Sequence, residues 1–125
     1  MESEGEGYTM VEVTLHIFAG RPDPKWPLSA EQVAGLKEKL PDQSPPAQPR
    51  TPPGLGYRGI RITNVDRVPD IPDRVIAYRG VLAVTTGKQT SYRGDVKRLE
   101  EWLLNQAREL GYGRIVDEAL QYGRR

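Results

Sequence analysis

The chain has 125 residues, 18 Lys plus Arg against 17 Asp plus Glu for a formal net charge of +1, and no cysteine. That length predicts one domain able to bury its own core. The missing thiols exclude disulfides, cysteine nucleophiles and Cys-ligated zinc or iron–sulfur sites. No apolar run approaches the roughly 20 residues of a membrane span, and the polar start (Glu2, Ser3, Glu4, Gly5, Glu6) is unlike a signal segment, so a cytoplasmic location is expected.

Residues 1–7 are acidic and glycine-rich with nothing to bury, and read as a disordered leader to a single α+β domain spanning 8–125. From Tyr8 the pattern alternates strictly. Val11, Val13, Leu15 and Ile17 fall on one face and Glu12, Thr14, His16 and Phe18 on the other, which predicts a half-buried strand of about ten residues closed by Gly20. The next ten residues, Gly20 to Ser29, carry three prolines, which makes this joint stiff. It can present Arg21, Asp23 and Trp26 as a recognition surface. The structural alternative is a loop anchored by Trp26 in the core, with Arg21 and Asp23 paired to lock the turn.

Ser29 stands three residues before Gln32, the spacing of a capping box, and Leu28 and Val33 are placed as its hydrophobic staple. Val33, Leu36 and Leu40 then make a helical stripe that Pro41 ends after about eleven residues. Gly35 in its middle costs roughly 1 kcal/mol relative to alanine and suggests close approach to a sheet. Residues 41–53 form a Pro-rich loop with the composition of a polyproline II tether. Its P-x-x-P spacing within Pro45-Pro46-Ala47-Gln48-Pro49 is too common to identify an SH3-type partner.

Ile60 and Ile62 alternate with Arg61 and Thr63 in a second strand, Tyr57 to Asn64, followed by a turn-rich loop to Asp73. Arg74 to Thr86 is the longest strand candidate. Unbroken alternation puts Ile76, Tyr78, Leu82 and Val84 on one face and Val75, Ala77, Val81 and Ala83 on the other, while Gly80 marks a bulge or a break into two strands. Thr86-Gly87-Lys88-Gln89 is a hairpin turn, and polar Gln89 to Arg93 reads as an edge strand. Asp95 caps a final helix with the stripe Val96, Leu99, Leu103, Ala107, Leu110, with Trp102 at the rim of the core. Gly111 ends it, and Arg114 to Leu120 can form a short extra helix. The order β-α-β-β-β-α predicts a two-layer sandwich, a mainly antiparallel sheet of about four strands covered on one face by two helices.

Few residues suit bond-breaking. His16 is the single histidine and lacks a metal-ligand or nucleophile-elbow context, so a non-catalytic sheet histidine is expected. Ser29 is engaged in capping and no triad is supported. Gly54, Gly56 and Gly59 imitate a dinucleotide fingerprint, but they follow a Pro-rich loop and precede a strand, the reverse of the required context. No catalytic residue, cofactor or metal is therefore assigned.

Recognition residues are plentiful. Arginine outnumbers lysine 13 to 5, which suits forked binding of oxyanions, although arginine-rich codon usage gives the same excess. Tyr-Arg-Gly occurs at 57–59, 78–80 and 92–94. If those segments are neighbouring strands, Tyr57, Arg58, Tyr78, Arg79, Tyr92 and Arg93 can form one anion or aromatic-ligand platform beside Arg21, Asp23 and Trp26. The plainer alternative has the tyrosines packed, the arginines in solvent and the glycines in turns. These observations favour a small non-catalytic binding domain for a partner protein or an anionic small molecule. Two alternatives are a small enzyme using Arg and Tyr with His16 or an Asp as acid–base, and single-stranded nucleic-acid binding on the sheet face. A homodimer through the edge strand near Ser91 is compatible with the pattern; a membrane partner is not expected.

Overall fold

A computed structural model describes residues 10–17, 22–40, 45–49 and 57–123. The expected leader, Phe18, Gly20, Arg21, most of the proline loop and the Gly54-Leu55-Gly56 run lie outside them. The architecture is α+β, with a six-stranded antiparallel sheet in the order β2-β1-β3-β4-β5-β6. The strands are β1 (Val11–Leu15), β2 (Lys25–Pro27), β3 (Ile60–Asn64), β4 (Arg74–Tyr78), β5 (Val81–Thr86) and β6 (Gln89–Gly94). The helices are α1 (Ala30–Lys39), α2 (Leu99–Ala107) and α3 (Gly113–Gly123), the last two joined by a π turn over Arg108–Tyr112.

Two strands exceed the expected four. One comes from the proline-rich joint, which folds back along β1 with Trp26 opposite Val13. The other arises because Arg74 to Thr86 splits at Arg79-Gly80, whose φ values of 50° and 88° are both positive, as a type I′ hairpin turn requires. The turn resets the alternation. Val75 pairs with Val84 and Ala77 with Leu82, so these four share the core face, and the faces assigned by unbroken alternation are corrected.

One face of the sheet is dry. Val11, Val13, Leu15, Ile60, Ile62, Val75 and Leu82 are at most 1% exposed, and they meet Leu36, Leu99, Leu103 and Val116 from the helices. Complete burial of side chains of this size contributes about 1.5–3 kcal/mol each. The Ser29 capping box forms as expected: Ser29 Oγ accepts from the Gln32 amide at 3.1 Å, and Gln32 Oε1 accepts from the Ser29 amide at 2.8 Å. Leu40 leaves the helix at ψ 148°, the extended geometry that the following proline imposes. Gly35 approaches Trp102 and not the sheet: a Cβ there would sit 3.1 Å from the indole.

Asp95 caps α2, its two carboxylate oxygens accepting from the Leu99 and Glu100 amides at 2.7 and 2.9 Å. The expected stripe is shorter than its spacing suggests. Val96 precedes the first turn and is 60% exposed, and Leu110 lies in the π turn, 54% exposed. There Gly111, at φ 102°, redirects the chain so that α3 supplies Ile115 and Val116 in its place. Part of the proline loop also has a defined position. Residues 45–47 run antiparallel to β6, bonded Ala47 N to Tyr92 O and Gly94 N to Pro45 O at 3.0 Å each.

Trp26 is a core residue. Its Nε1 donates to Gln106 Oε1 at 3.0 Å and its ring stacks on Tyr112 at 6.2 Å between centroids. Replacing Trp26 with Phe strands the Gln106 oxygen in a buried site, which is expected to cost about 1–3 kcal/mol in urea unfolding. Adding Gln106→Leu removes the stranded group and is expected to recover a measurable part of that loss in a double-mutant cycle.

Candidate functional site

The sheet face away from the helices carries the candidate site, and its assembly follows from strand parity. Trp26 faces the core, as do Pro24 and Leu28, both buried. Asp23 and Lys25 therefore lie on the outer face, where Lys25 is opposite Thr14. Continuing the same register beyond Leu15 sets Asp23 opposite His16. The contact forms: His16 Nδ1 lies 3.1 Å from Asp23 Oδ2, and Asp23 Oδ1 accepts from the Ile17 amide at 3.1 Å. A carboxylate can only accept, so Nδ1 carries the proton and Nε2 is left with its lone pair.

The third strand contributes through a bulge. His16 N donates to Gly59 O, but His16 O accepts from Arg58 N, so two residues of one strand oppose one of the other. Gly59 adopts φ 104°, and a Cβ there would lie 3.0 Å from the Ala77 carbonyl oxygen. Without the extra residue, parity from Ile60 would send Arg58 toward the helices. With it, Arg58 Nη2 reaches to 3.9 Å from Asp23 Oδ2, and Tyr57 turns into the core. Arg61 lies on the same outer face, opposite Thr14 and Ile76. Thr14 is 2% exposed although it faces away from the core. Its Oγ1 and the Nε of Arg61 are buried cross-strand neighbours, and neither has a hydrogen-bond partner among the described residues.

Burial holds the His16 imidazole below its ordinary value near 6.5; the Arg61 charge, and more weakly Arg58, act in the same direction, against the hydrogen bond and charge of Asp23. His16 is therefore neutral at pH 7. The cluster thus combines two guanidinium groups, an oriented neutral imidazole and one carboxylate, a set able to bind an anion and exchange a proton with it. The alternation of β1 places His16 on this face, while its partner Asp23 arrives with the returning β2 strand, which the three prolines of the joint disguise as a connector.

The other expected site residues are distributed differently. Tyr57 and Tyr78 are buried, with ring centroids 5.8 Å apart, and Trp26 is enclosed by α2 and the π turn. Of the three tyrosines, Tyr92 is the exposed one, on the outer face opposite Ala83. Arg93 pairs with core-facing Leu82 and so points to the helix side, and Arg79 occupies the β4–β5 turn above the Tyr78 ring at 5.6 Å. Arg58, Arg79 and Arg93 do not gather, because three Tyr-Arg-Gly copies fall at a bulge, a hairpin turn and a strand end. Arg21 is outside the described residues.

Arg79 and Tyr57 meet elsewhere. On the helix side a cleft of about 390 Å³ is lined by Tyr57, Arg79, Glu100, Leu104 and Leu120, among others. The Tyr57 hydroxyl donates to Glu100 Oε2. Burial, with the Glu100 charge beside it, pushes the phenol far above its ordinary value, so it acts as a donor only. Among the described residues no group of three or more His, Asp or Glu side chains is arranged to hold a metal ion, and no helix is long and apolar enough to cross a membrane. Comparison with family models, curated proteins and solved structures finds no match to this chain.

Two outcomes test the geometry. Gly59→Ala forces a positive φ and a backbone contact, and is expected to destabilise by about 1–3 kcal/mol and to shift the His16 NMR resonances as Arg58 is displaced. The lowered folded pKa of His16 means the unfolded chain takes up the proton first on acidification. Its contribution is full above about pH 6.5 and declines as pH falls through the lower folded value. His16→Asn, whose amide can still reach Asp23, is expected to flatten that part of the profile in urea midpoints measured from pH 7.5 to 5.

Proposed function

We propose that this protein is a cytoplasmic, non-catalytic binding module that takes up a small oxyanion on the outer sheet face, held by His16, Arg58 and Arg61. The observation that carries this reading is the convergence of those three side chains from the end of β1, the bulge before β3 and β3 itself. Asp23 has two effects: it orients the imidazole, and it offsets enough positive charge to favour a ligand with geometry suited to the arginine forks over any diffuse anion.

Titration with inorganic phosphate, pyrophosphate and citrate, followed by His16 NMR shifts and calorimetry, tests the reading. At least one is expected to saturate, and to bind more tightly as pH falls, because a bound anion favours the imidazolium. Arg61→Ala is expected to weaken binding about tenfold or more, the loss of one charge-assisted hydrogen bond, while Arg93→Ala leaves it unchanged. Absence of saturable shifts at His16 with all three anions would sink the proposal.

One observation favours a second reading, a small enzyme: the Asp23 contact leaves His16 Nε2 oriented as a general base. Turnover of phosphomonoesters that disappears in His16→Asn while phosphate binding survives would select it over simple binding.

A further inference from the structure

We infer that the outer face takes a nucleoside 5′-phosphate, with its base over Ala83 between Ile76 and Tyr92 and its phosphate on Arg61. The inference rests on the oxyanion reading above and extends it across the sheet. Its basis is a row of residues that face one another strand by strand. Arg61 of β3 is opposite Ile76 of β4, Ile76 is opposite Ala83 of β5, and Ala83 is opposite Tyr92 of β6. Tyr92 is 37% exposed, Ile76 and Ala83 are half-buried, and all three stand apart from the helix-side core. The row is thus cationic at one end and apolar, then aromatic, at the other.

Spacing decides what fits. Neighbouring strands lie about 4.8 Å apart, so Ile76 and Tyr92 stand roughly 9.6 Å from each other with only the Ala83 methyl group between them. A planar ring needs about 3.5–4.0 Å to each wall, roughly 7–8 Å in all. One ring therefore fits above Ala83, and two stacked rings do not. A tyrosine face accepts any nucleobase by stacking. From Ala83 back to Arg61 is again two strand spacings, roughly 9.6 Å at the backbone, too far for a phosphate attached directly to a ring. A ribose between base and phosphate supplies the spacer and crosses above Ile76.

Charge favours the same ligand. Arg74, two residues along β4 from Ile76 and opposite Thr85, and Lys25, opposite Thr14, add positive charge to this face beside Arg61, against Glu12 and Asp23. A simple oxyanion leaves the gap between Ile76 and Tyr92 unused. An uncharged aromatic compound leaves Arg61 unused.

Titration of the full chain with adenosine 5′-monophosphate, ribose 5-phosphate and adenosine, followed by NMR at His16 and at the Tyr92 ring, tests this. The nucleotide is expected to shift both residues in one saturable event and to bind at least tenfold more tightly than either half. Tyr92→Ala removes one wall, and Ala83→Ile fills the gap with a side chain suited to a strand. Each is expected to bring the nucleotide down to the level of ribose 5-phosphate while the His16 shifts persist. Arg61→Ala is expected to bring it down to the level of adenosine. Ribose 5-phosphate that binds at His16 as tightly as the nucleotide, or nucleotide binding indifferent to both Tyr92→Ala and Ala83→Ile, would overturn the inference and leave the oxyanion reading standing. No saturable His16 shift with either phosphate would overturn both.

Discussion

Burial of Trp26 is the constraint on which the outer face depends. The indole fills a slot between Val13, Gln106 and Tyr112, and its ring nitrogen finds an acceptor there, so the residue has one satisfactory orientation. In an extended chain neighbouring side chains point to opposite faces. Once residue 26 points inward, residue 23 points outward, and the antiparallel register brings it to His16. The polar contact is therefore a consequence of a hydrophobic one formed on the other side of the sheet. A slip of one residue would expose the indole and bury Asp23, a double penalty that holds the register firmly.

The bulge at Arg58-Gly59 performs the complementary operation on β1's other neighbour. It inserts one residue, which exchanges the faces of everything preceding it, so Tyr57 goes inward and Arg58 outward. Glycine suits that position in conformation and in space, since a Cβ there would lie 3.0 Å from the Ala77 carbonyl oxygen. His16 thus lies between two strands that were each adjusted locally, and its electrostatic setting comes from groups far apart in sequence.

Local features were legible in the residues themselves. The Ser29–Gln32 box, the β1 alternation, the break at Gly80 and the Asp95 cap each rest on interactions within a few positions, and each formed. What escaped was non-local. Lys25-Trp26-Pro27-Leu28 alternates exposed and buried, a signal for a strand, but three prolines in ten residues made it read as a rigid connector. The repeated Tyr-Arg-Gly triplet suggested one shared surface. Yet a triplet has no preferred face until its strand register is known, and the copies serve as bulge, turn and strand end. Val96 and Leu110 fit the helical period of a stripe whose ends were set by a cap and by the glycine at 111.

Proline placement at the two lateral margins of the sheet has a consequence for self-association. On one side Pro27 occupies the position of β2 whose amide would face outward, opposite Glu12 in a pair that exchanges no backbone bonds across β1. On the other, Pro46 does the same in the short run laid against β6, opposite Arg93. A strand arriving from another molecule would find each rim short of a donor where it needs one, with charged Lys25 adjacent on the β2 side. Where Pro27 and Pro46 stand, each rim lacks the backbone donor that strand addition draws on.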